Sequence, residues 1–409
     1  MAIFSIDVTP LKENLNYRWL FLGQIISFFG SMITYVAIPF QMYSITSSTF
    51  HVGMLGIVQL IPLVISGFWG GAFADSLDRR KLVVVTEIAS ALGNLLLAAF
   101  ALSGSKEFWV LYVLSGVMAV CKGLERPALE AMTQQLVKKA DIPKVSSLQS
   151  FKTTSGMIMG PAVGGILIST FGIVATYVVD FFTYAVSIYC LFQLKNIPPL
   201  SEKRKANLSS ILEGFKYAMK RPDLLGTYLV DMASMTFAYP NPLFPALAIV
   251  LGGADKLGWL YSSIAFGSFV ASVTSGWTHK VLVHGKMITI AAFFWCVGII
   301  IFGLSRNFYI AIAALTFAGF VDMISGIFRA TVWNETIPSE YRGRLASVEM
   351  ISYSSGPLLG NTFMGAMAQG IGFESALMWG GIAGCFLVLF IGVGIRSFWN
   401  YQAVREISN

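Results

Sequence analysis

The sequence predicts an all-α polytopic membrane protein, with twelve transmembrane helices in two pseudo-symmetric six-helix halves. Three observations carry that prediction. The 409 residues are 56% hydrophobic and only 12% charged, about half the charged fraction of soluble domains. Apolar segments recur along the whole chain, and about 20 apolar residues suffice for one helical crossing. The basic residues fall on alternate connections, as the positive-inside rule requires. The first observation excludes a soluble enzyme. The second excludes a membrane β-barrel, whose strands alternate apolar and polar residues, because these segments are apolar throughout.

The first six segments lie near 17–43, 51–74, 82–104, 108–131, 146–170 and 172–194. The second six lie near 223–250, 257–278, 287–305, 308–333, 345–370 and 374–397. The first begins near Tyr17 with no small-residue cleavage site, so it reads as a retained helix and not a removed signal peptide. Between the sets, 195–222 is the most polar stretch and contains Lys203-Arg204-Lys205. It is expected to be a cytoplasmic linker joining domains 1–194 and 223–409.

Placing both termini in the cytoplasm puts 21 of the 28 Lys and Arg on that side and only Lys106, Lys256 and Arg306 opposite. Lys122, Arg126, Lys152 and Arg329 fall inside segments. The net charge of +7 is thus a topology signal, and nucleic acid is not an expected partner. Cys121, Cys190, Cys296 and Cys385 sit in apolar stretches without CxxC spacing and read as core residues. His51, His279 and His284 are too scattered for a zinc site. No metal or cofactor is expected.

Two local patterns stand out. The first is Gly71-Ala72-Phe73-Ala74-Asp75-Ser76-Leu77-Asp78-Arg79-Arg80-Lys81, between segments two and three. Glycines there allow two helices to approach closely. Asp75 is placed to cap the positive N-terminus of a neighbouring helix, and Arg79 and Arg80 to pair with acids on the cytoplasmic surface. Contacts of that kind would form a two-state latch; an ordinary positive-inside loop is the plainer reading. The second is Gly156-x-x-x-Gly160-Pro161-x-x-Gly164-Gly165 in segment five, echoed by Gly356-Pro357-x-x-Gly360 in segment eleven. Glycines four apart make a smooth packing face, and Pro161 bends the helix. Such an echo at half the chain length is expected of transporters whose site lies between repeats.

These residues resemble the major facilitator superfamily. The loop from Gly71 is similar to the superfamily's loop 2–3 signature, matching at Asp75 and the basic pair and departing at Ser76 and Asp78. The segment-five pattern resembles the motif of the superfamily's antiporters, which implies export. Val36-Ala37-Ile38-Pro39-Phe40-Gln41, Ser48-Thr49-Phe50-His51-Val52-Gly53 and Pro338-x-x-x-Arg342-Gly343-Arg344 look like the branch that holds enterobactin exporters and macrolide-efflux proteins. Gly319-x-x-Asp322-Met323-Ile324-Ser325-x-x-x-Arg329 is similar to a pattern in segment ten of several members. The resemblance covers the whole chain. It implies a monomeric efflux protein of a bacterial inner membrane, exchanging a siderophore- or drug-like molecule for protons, with an outer-membrane channel as a further partner to be tested.

Charges inside segments are costly in hydrocarbon and mark functional or paired groups. Asp322 and Arg329 lie two turns apart on one face, and each is expected to find a partner on another helix. Asp322 is a proton-carrier candidate with a structural ion-pair role as the alternative. Asp231 in segment seven and Glu349 in segment eleven are weighed the same way, Glu349 more as a gate partner. Asp180 in segment six is a lesser candidate. Lys122 and Arg126 in segment four resemble the basic residue that antiporters keep beside the proton route; pairing with Glu125 or Glu130 at helical spacing is the alternative.

Tyr239-Pro240-Asn241-Pro242-x-x-Pro245 should break segment seven, as prolines do where a helix lines a cavity. Tyr35, Gln41, Tyr239 and Asn241 are therefore the substrate-cavity candidates. No nucleophile elbow, HExxH pair or Walker loop occurs, so an enzyme and direct ATP drive are both unexpected. A gradient-independent facilitator or importer of a lipid, metal complex or other small solute is the alternative to a proton-driven exporter.

Overall fold

The computed structural model describes residues 7–194, 216, 217, 219–337 and 342–402. Side chains are described for all of these except 68, 70–76, 139 and 342–353. Apart from one isolated bridge between Val283 and Gln402, the regular structure of the described residues is helical. Leu15–Thr46 forms α1, Thr49–Ser76 α2, Arg79–Leu102 α3 and Trp109–Leu136 α4. One continuous stretch, Ile142–Phe192, is interrupted at Gly172, where φ is 80°. It is therefore two helices, α5 (142–171) and α6 (173–192). Pro222–Phe237, a 3-10 turn at Asn241–Leu243, and Phe244–Val250 make up α7. Asp255–Thr274 is α8, His284–Leu304 α9, Phe308–Thr336 α10, Arg342–Ile371 α11 and Phe373–Gly394 α12.

Helix ends follow local chemistry. The Asp78 carboxylate accepts hydrogen bonds from the Arg80 and Lys81 amides at 3.0 and 3.3 Å and so starts α3. Asn307 does the same for α10 through the Tyr309 and Ile310 amides. Gly172 and Gly372, with φ of 80° and 82°, occupy the left-handed region that only glycine adopts without strain. They end α5 and α11 at corresponding places in the two halves.

The break in α7 arises from its prolines. Pro242 has no N–H, so the Ala238 carbonyl four residues earlier loses its helical donor. The buried indole of Trp295 on α9 supplies the missing bond, donating from Nε1 to the Ala238 oxygen at 3.0 Å. Trp295→Phe should orphan that carbonyl and lower stability by about 1–3 kcal/mol. Thermal unfolding in detergent would show it, and an unchanged midpoint would mean that Ala238 has another donor.

By length and composition, eight stretches of the described residues can cross a membrane, one of them the 142–192 stretch that holds both α5 and α6. α4 and α11 carry more polar residues, and α7 is broken. Large apolar side chains such as Leu96, Phe182, Phe386 and Phe390 point outward, while Asn94, Asp180 and Asp231 are buried. A soluble protein shows the reverse arrangement.

The chain packs as two compact units. The first holds Met1–Thr46, Val58–Ala206 and Gly253–Ser262; the second holds Ser47–Ile57, Asn207–Gly252 and Ser263–Asn409. Each therefore takes most of one predicted half together with a short segment of the other. In the first unit the start of α8 lies on α5: the Ser262 hydroxyl donates to the Ile158 carbonyl at 2.6 Å. In the second unit the start of α2 lies on α11, where the Thr362 hydroxyl donates to the Gly53 carbonyl at 3.0 Å.

Candidate functional site

The second unit brings three intramembrane charges together. Arg329 on α10 forms an ion pair with Asp231 on α7, and its Nη2 lies 3.7 Å from Oδ1 of Asp322, two turns earlier on its own helix. A rise of about 1.5 Å per residue separates the two Cα atoms by about 10 Å. The contact is nonetheless reached because helical side chains point back toward the N-terminus, so the long arginine extends toward the aspartate. The sequence leads one to expect that each of the two finds a partner on another helix; Arg329 does, in Asp231, and it also reaches Asp322 on its own helix. The Asp231 side chain is 6% exposed and that of Asp322 30%. Asp231 is thus the fixed partner and Asp322 the accessible one. Glu349 lies on α11, and its side chain is outside the described residues.

The first unit has its own polar interior. The Asp180 carboxylate on α6 accepts from Thr34 of α1 at 2.5 Å, Asn94 of α3 at 2.9 Å and Thr183 at 2.9 Å. Gly30 makes room for this cluster: a Cβ there would come within 2.3 Å of the Asp180 carboxylate. Thr34 and Asn94 were not singled out from sequence, because a neutral polar residue in an apolar segment gives little signal. Deeper toward the basic-loop end, Ser187 of α6 donates to Glu87 of α3 at 2.7 Å. Lys152 of α5 donates to Gln24 of α1 at 3.0 Å. Glu87 also escaped sequence reasoning, although it is a lone acid in an apolar segment, the same signal that marked Asp322.

On α4, Arg126 pairs with Glu130 one turn on, at 3.2 Å with both side chains more than half exposed. Lys122 is exposed and lies within electrostatic reach of Asp180 and Glu125. Helical-spacing pairing therefore accounts for Arg126, while Lys122 faces the acid network.

Within the loop 2–3 pattern, Gly71 and Asp75 have side chains outside the described residues. Asp78 caps its own helix, as described above. Arg79 opens α3. Arg80 was expected to meet surface acids; it donates instead to the carbonyls of Leu194 at 2.8 Å and Phe192 at 3.1 Å. Those are the orphan acceptors at the end of α6, where a cation also meets the negative end of the helix dipole.

The glycines of the segment-five pattern divide between two neighbours. Side chains added at Gly156, Gly160 and Gly164 would meet Phe28, Met32 and Ile33 of α1, and one at Gly165 would meet the backbone of Gly258 on α8 at 2.6 Å. Across the chain, Gly356 and Gly360 face Met235 of α7 in the same way, and Gly365 faces the Gly53 backbone of α2 at 2.8 Å. The matching glycines stand 200 positions apart in sequence.

Comparison with known proteins fixes the family. The family model described as transmembrane secretion effector, a group of major facilitator transporters, matches residues 6–403. The chain belongs to that family. Such a chain is a secondary transporter of small molecules and a multi-pass membrane protein, not an enzyme. The enterobactin exporter EntS of Escherichia coli O1:K1 is 24% identical over 397 residues, covering 96% of this chain and 95% of that protein. Among solved structures, the nucleoside transporter NupG gives a TM-score of 0.76 at 12% identity, over 95% of this chain and 100% of its own. A bacterial homologue of the human lysosomal transporter Spinster also gives 0.76, at 14% identity, over 95% of this chain and 98% of its own. At such identities the structures show the fold alone.

The cavity candidates of this secretion-effector chain fall in both units. In the first, the Tyr35 ring, 38% exposed, meets Tyr261 edge-on at 5.4 Å. Gln41 is buried and accepts from the Tyr177 hydroxyl at 2.7 Å, so its place is in helix packing between α1 and α6. In the second, Asn241 donates to the Tyr239 hydroxyl at 3.0 Å within the α7 break.

Proposed function

We propose that this chain exports a small organic molecule of siderophore-like or drug-like character by alternating access, driven by inward proton flow. The observation that carries the reading is Arg329 poised between a buried and a more accessible carboxylate. With Asp322 ionised, the guanidinium is shared; with Asp322 protonated, it rests wholly on Asp231. Proton binding thereby changes the charge contacts between α7 and α10, and a ligand acts on a conformational equilibrium only through such differential contacts.

The direction of transport is supported by the secretion-effector family and by the name of the enterobactin exporter. A catecholate siderophore is the first substrate to test for the same reason. The basic-residue distribution supports a bacterial inner-membrane protein with both termini cytoplasmic. Segments 1–194 and 223–409 are then the rocking halves, and 195–222 the linker.

The test uses the purified protein in liposomes loaded with a pH-sensitive dye. A catecholate siderophore, then a macrolide, is added with and without a proton gradient, for wild type and Asp322→Asn. Substrate-dependent proton movement in wild type, absent from the variant, is expected. Substrate movement that ignores the gradient and survives in the variant would make the chain a facilitator and Asp322 a structural residue.

A further inference from the structure

Glu87 has no role in the scheme above, yet it is a buried acid inside the first unit. It stands eight residues into α3, about 12 Å along the helix, and is 1% exposed. Its Oε1 accepts from Ser187 at 2.7 Å. Its Oε2 is buried with no hydrogen-bond partner, and so is Nε2 of Gln24 on α1. α1 and α6 meet closely here, since a side chain at Gly23 would touch Ser187 Oγ at 3.0 Å.

Among the described residues, few charged and titratable groups face Glu87. α4 supplies Glu125, within electrostatic reach of Glu87, and Lys122, within reach of Glu125. Lys152 of α5 also reaches Glu125, but its ammonium is engaged by Gln24 at 3.0 Å and lies over the Phe28 ring at 5.8 Å. Tyr184 and Cys190 of α6 are also within electrostatic reach of Glu87. None of the described ion pairs involves Glu87. A buried carboxylate with one hydrogen bond and no cation is costly as an anion, whereas the neutral acid is far cheaper to bury. Glu125 is half-buried whereas Glu87 is 1% exposed, so of these two neighbouring acids Glu125 is the one open to solvent.

We propose that Glu87 is a second proton-binding site of this transporter, carrying its proton as a neutral carboxylic acid and exchanging it with water by way of Glu125. Binding forms an O–H bond at Oε2 and release breaks it; no other reactant is needed. The site lies in the first unit and is separate from Arg329 and its two aspartates. Its use in transport rests on the proton-coupled reading, whereas its protonation does not.

Two measurements test it. Infrared difference spectroscopy of the wild-type protein across a pH series should show a carboxylic-acid C=O band that is missing from Glu87→Gln and shifted in Ser187→Ala. Because Ser187→Ala retains the acid, it keeps the test informative if Glu87→Gln fails to fold. In the liposome assay, Glu87→Gln should move one proton fewer per substrate than wild type. A spectrum with no band assignable to Glu87, or an unchanged proton-to-substrate ratio, would overturn the proposal. Absence of any substrate-driven proton movement in wild type would instead sink the antiport reading, and the infrared band would still decide whether Glu87 holds a proton.

Discussion

Arg329→Met is expected to destabilise the protein by about 3–5 kcal/mol, the usual consequence of removing one partner from a buried ion pair. The loss comes chiefly from Asp231. Its side chain is 6% exposed, so water cannot replace the guanidinium. Asp322, at 30% exposure, has some access to other partners and contributes less. The double variant Arg329→Met with Asp231→Asn should recover most of the loss, because it removes the stranded charge together with its partner. Chemical or thermal unfolding in detergent measures both. A single variant as stable as wild type would show that Asp231 is not held by Arg329, and the proton scheme built on that pair would fall with it.

The second large effect is expected at the glycine crossings. A side chain at Gly165 would meet the backbone nitrogen of Gly258 at 2.6 Å, and one at Gly365 would meet the Gly53 Cα at 2.8 Å. Backbone cannot rotate out of the way as a side chain can, so Gly165→Val must separate α5 from α8. Gly365→Val must likewise separate α11 from α2. Overpacking of this kind costs about 1–3 kcal/mol, which corresponds to roughly 5–150-fold in an equilibrium between states. Transport rate in liposomes should drop by a comparable factor for either variant. Cysteine pairs placed across each crossing should also cross-link less readily. Rates like wild type in both variants would show that these approaches are not needed in the transport cycle.

The architecture was legible because a membrane imposes simple rules. Apolar length marked the segments, and the structure moves their ends by a few residues in either direction, outward in Leu15–Thr46 against 17–43 and inward at the end of Phe373–Gly394 against 374–397. Pro240 and Pro242 marked the α7 break, but nothing in the chain pointed to Trp295 as the donor that stabilises it, since that contact depends on how α9 packs. Asp231, Asp322 and Arg329 were visible as charges in hydrocarbon. Their convergence was not, because it requires both the facing of α7 and α10 and the backward tilt of an arginine side chain. The internal repeat was aligned on Pro161 and Pro357, 196 positions apart in sequence. The structure repeats instead at 200, on Gly156, Gly160 and Gly165 with their partners and on Gly172 with Gly372. What duplication preserved is the packing surface and the turn, and the proline moved relative to both. Arg80 went to helix-end carbonyls because the end of α6 lies within its reach, a proximity that no sequence spacing reveals.

The two glycine crossings also bear on how fast the molecule can work. A contact made by long side chains must freeze their rotamers each time it forms, at about 0.5–2 kcal/mol for each residue. Where Gly165 meets Gly258 and Gly365 meets Gly53, there are no rotamers to freeze. Such a joint closes with little ordering and opens with little strain, so its barrier should be low in both directions and only weakly sensitive to temperature. Side-chain rearrangement at these joints would then set no limit on turnover, which would be governed by the charge exchange at Arg329.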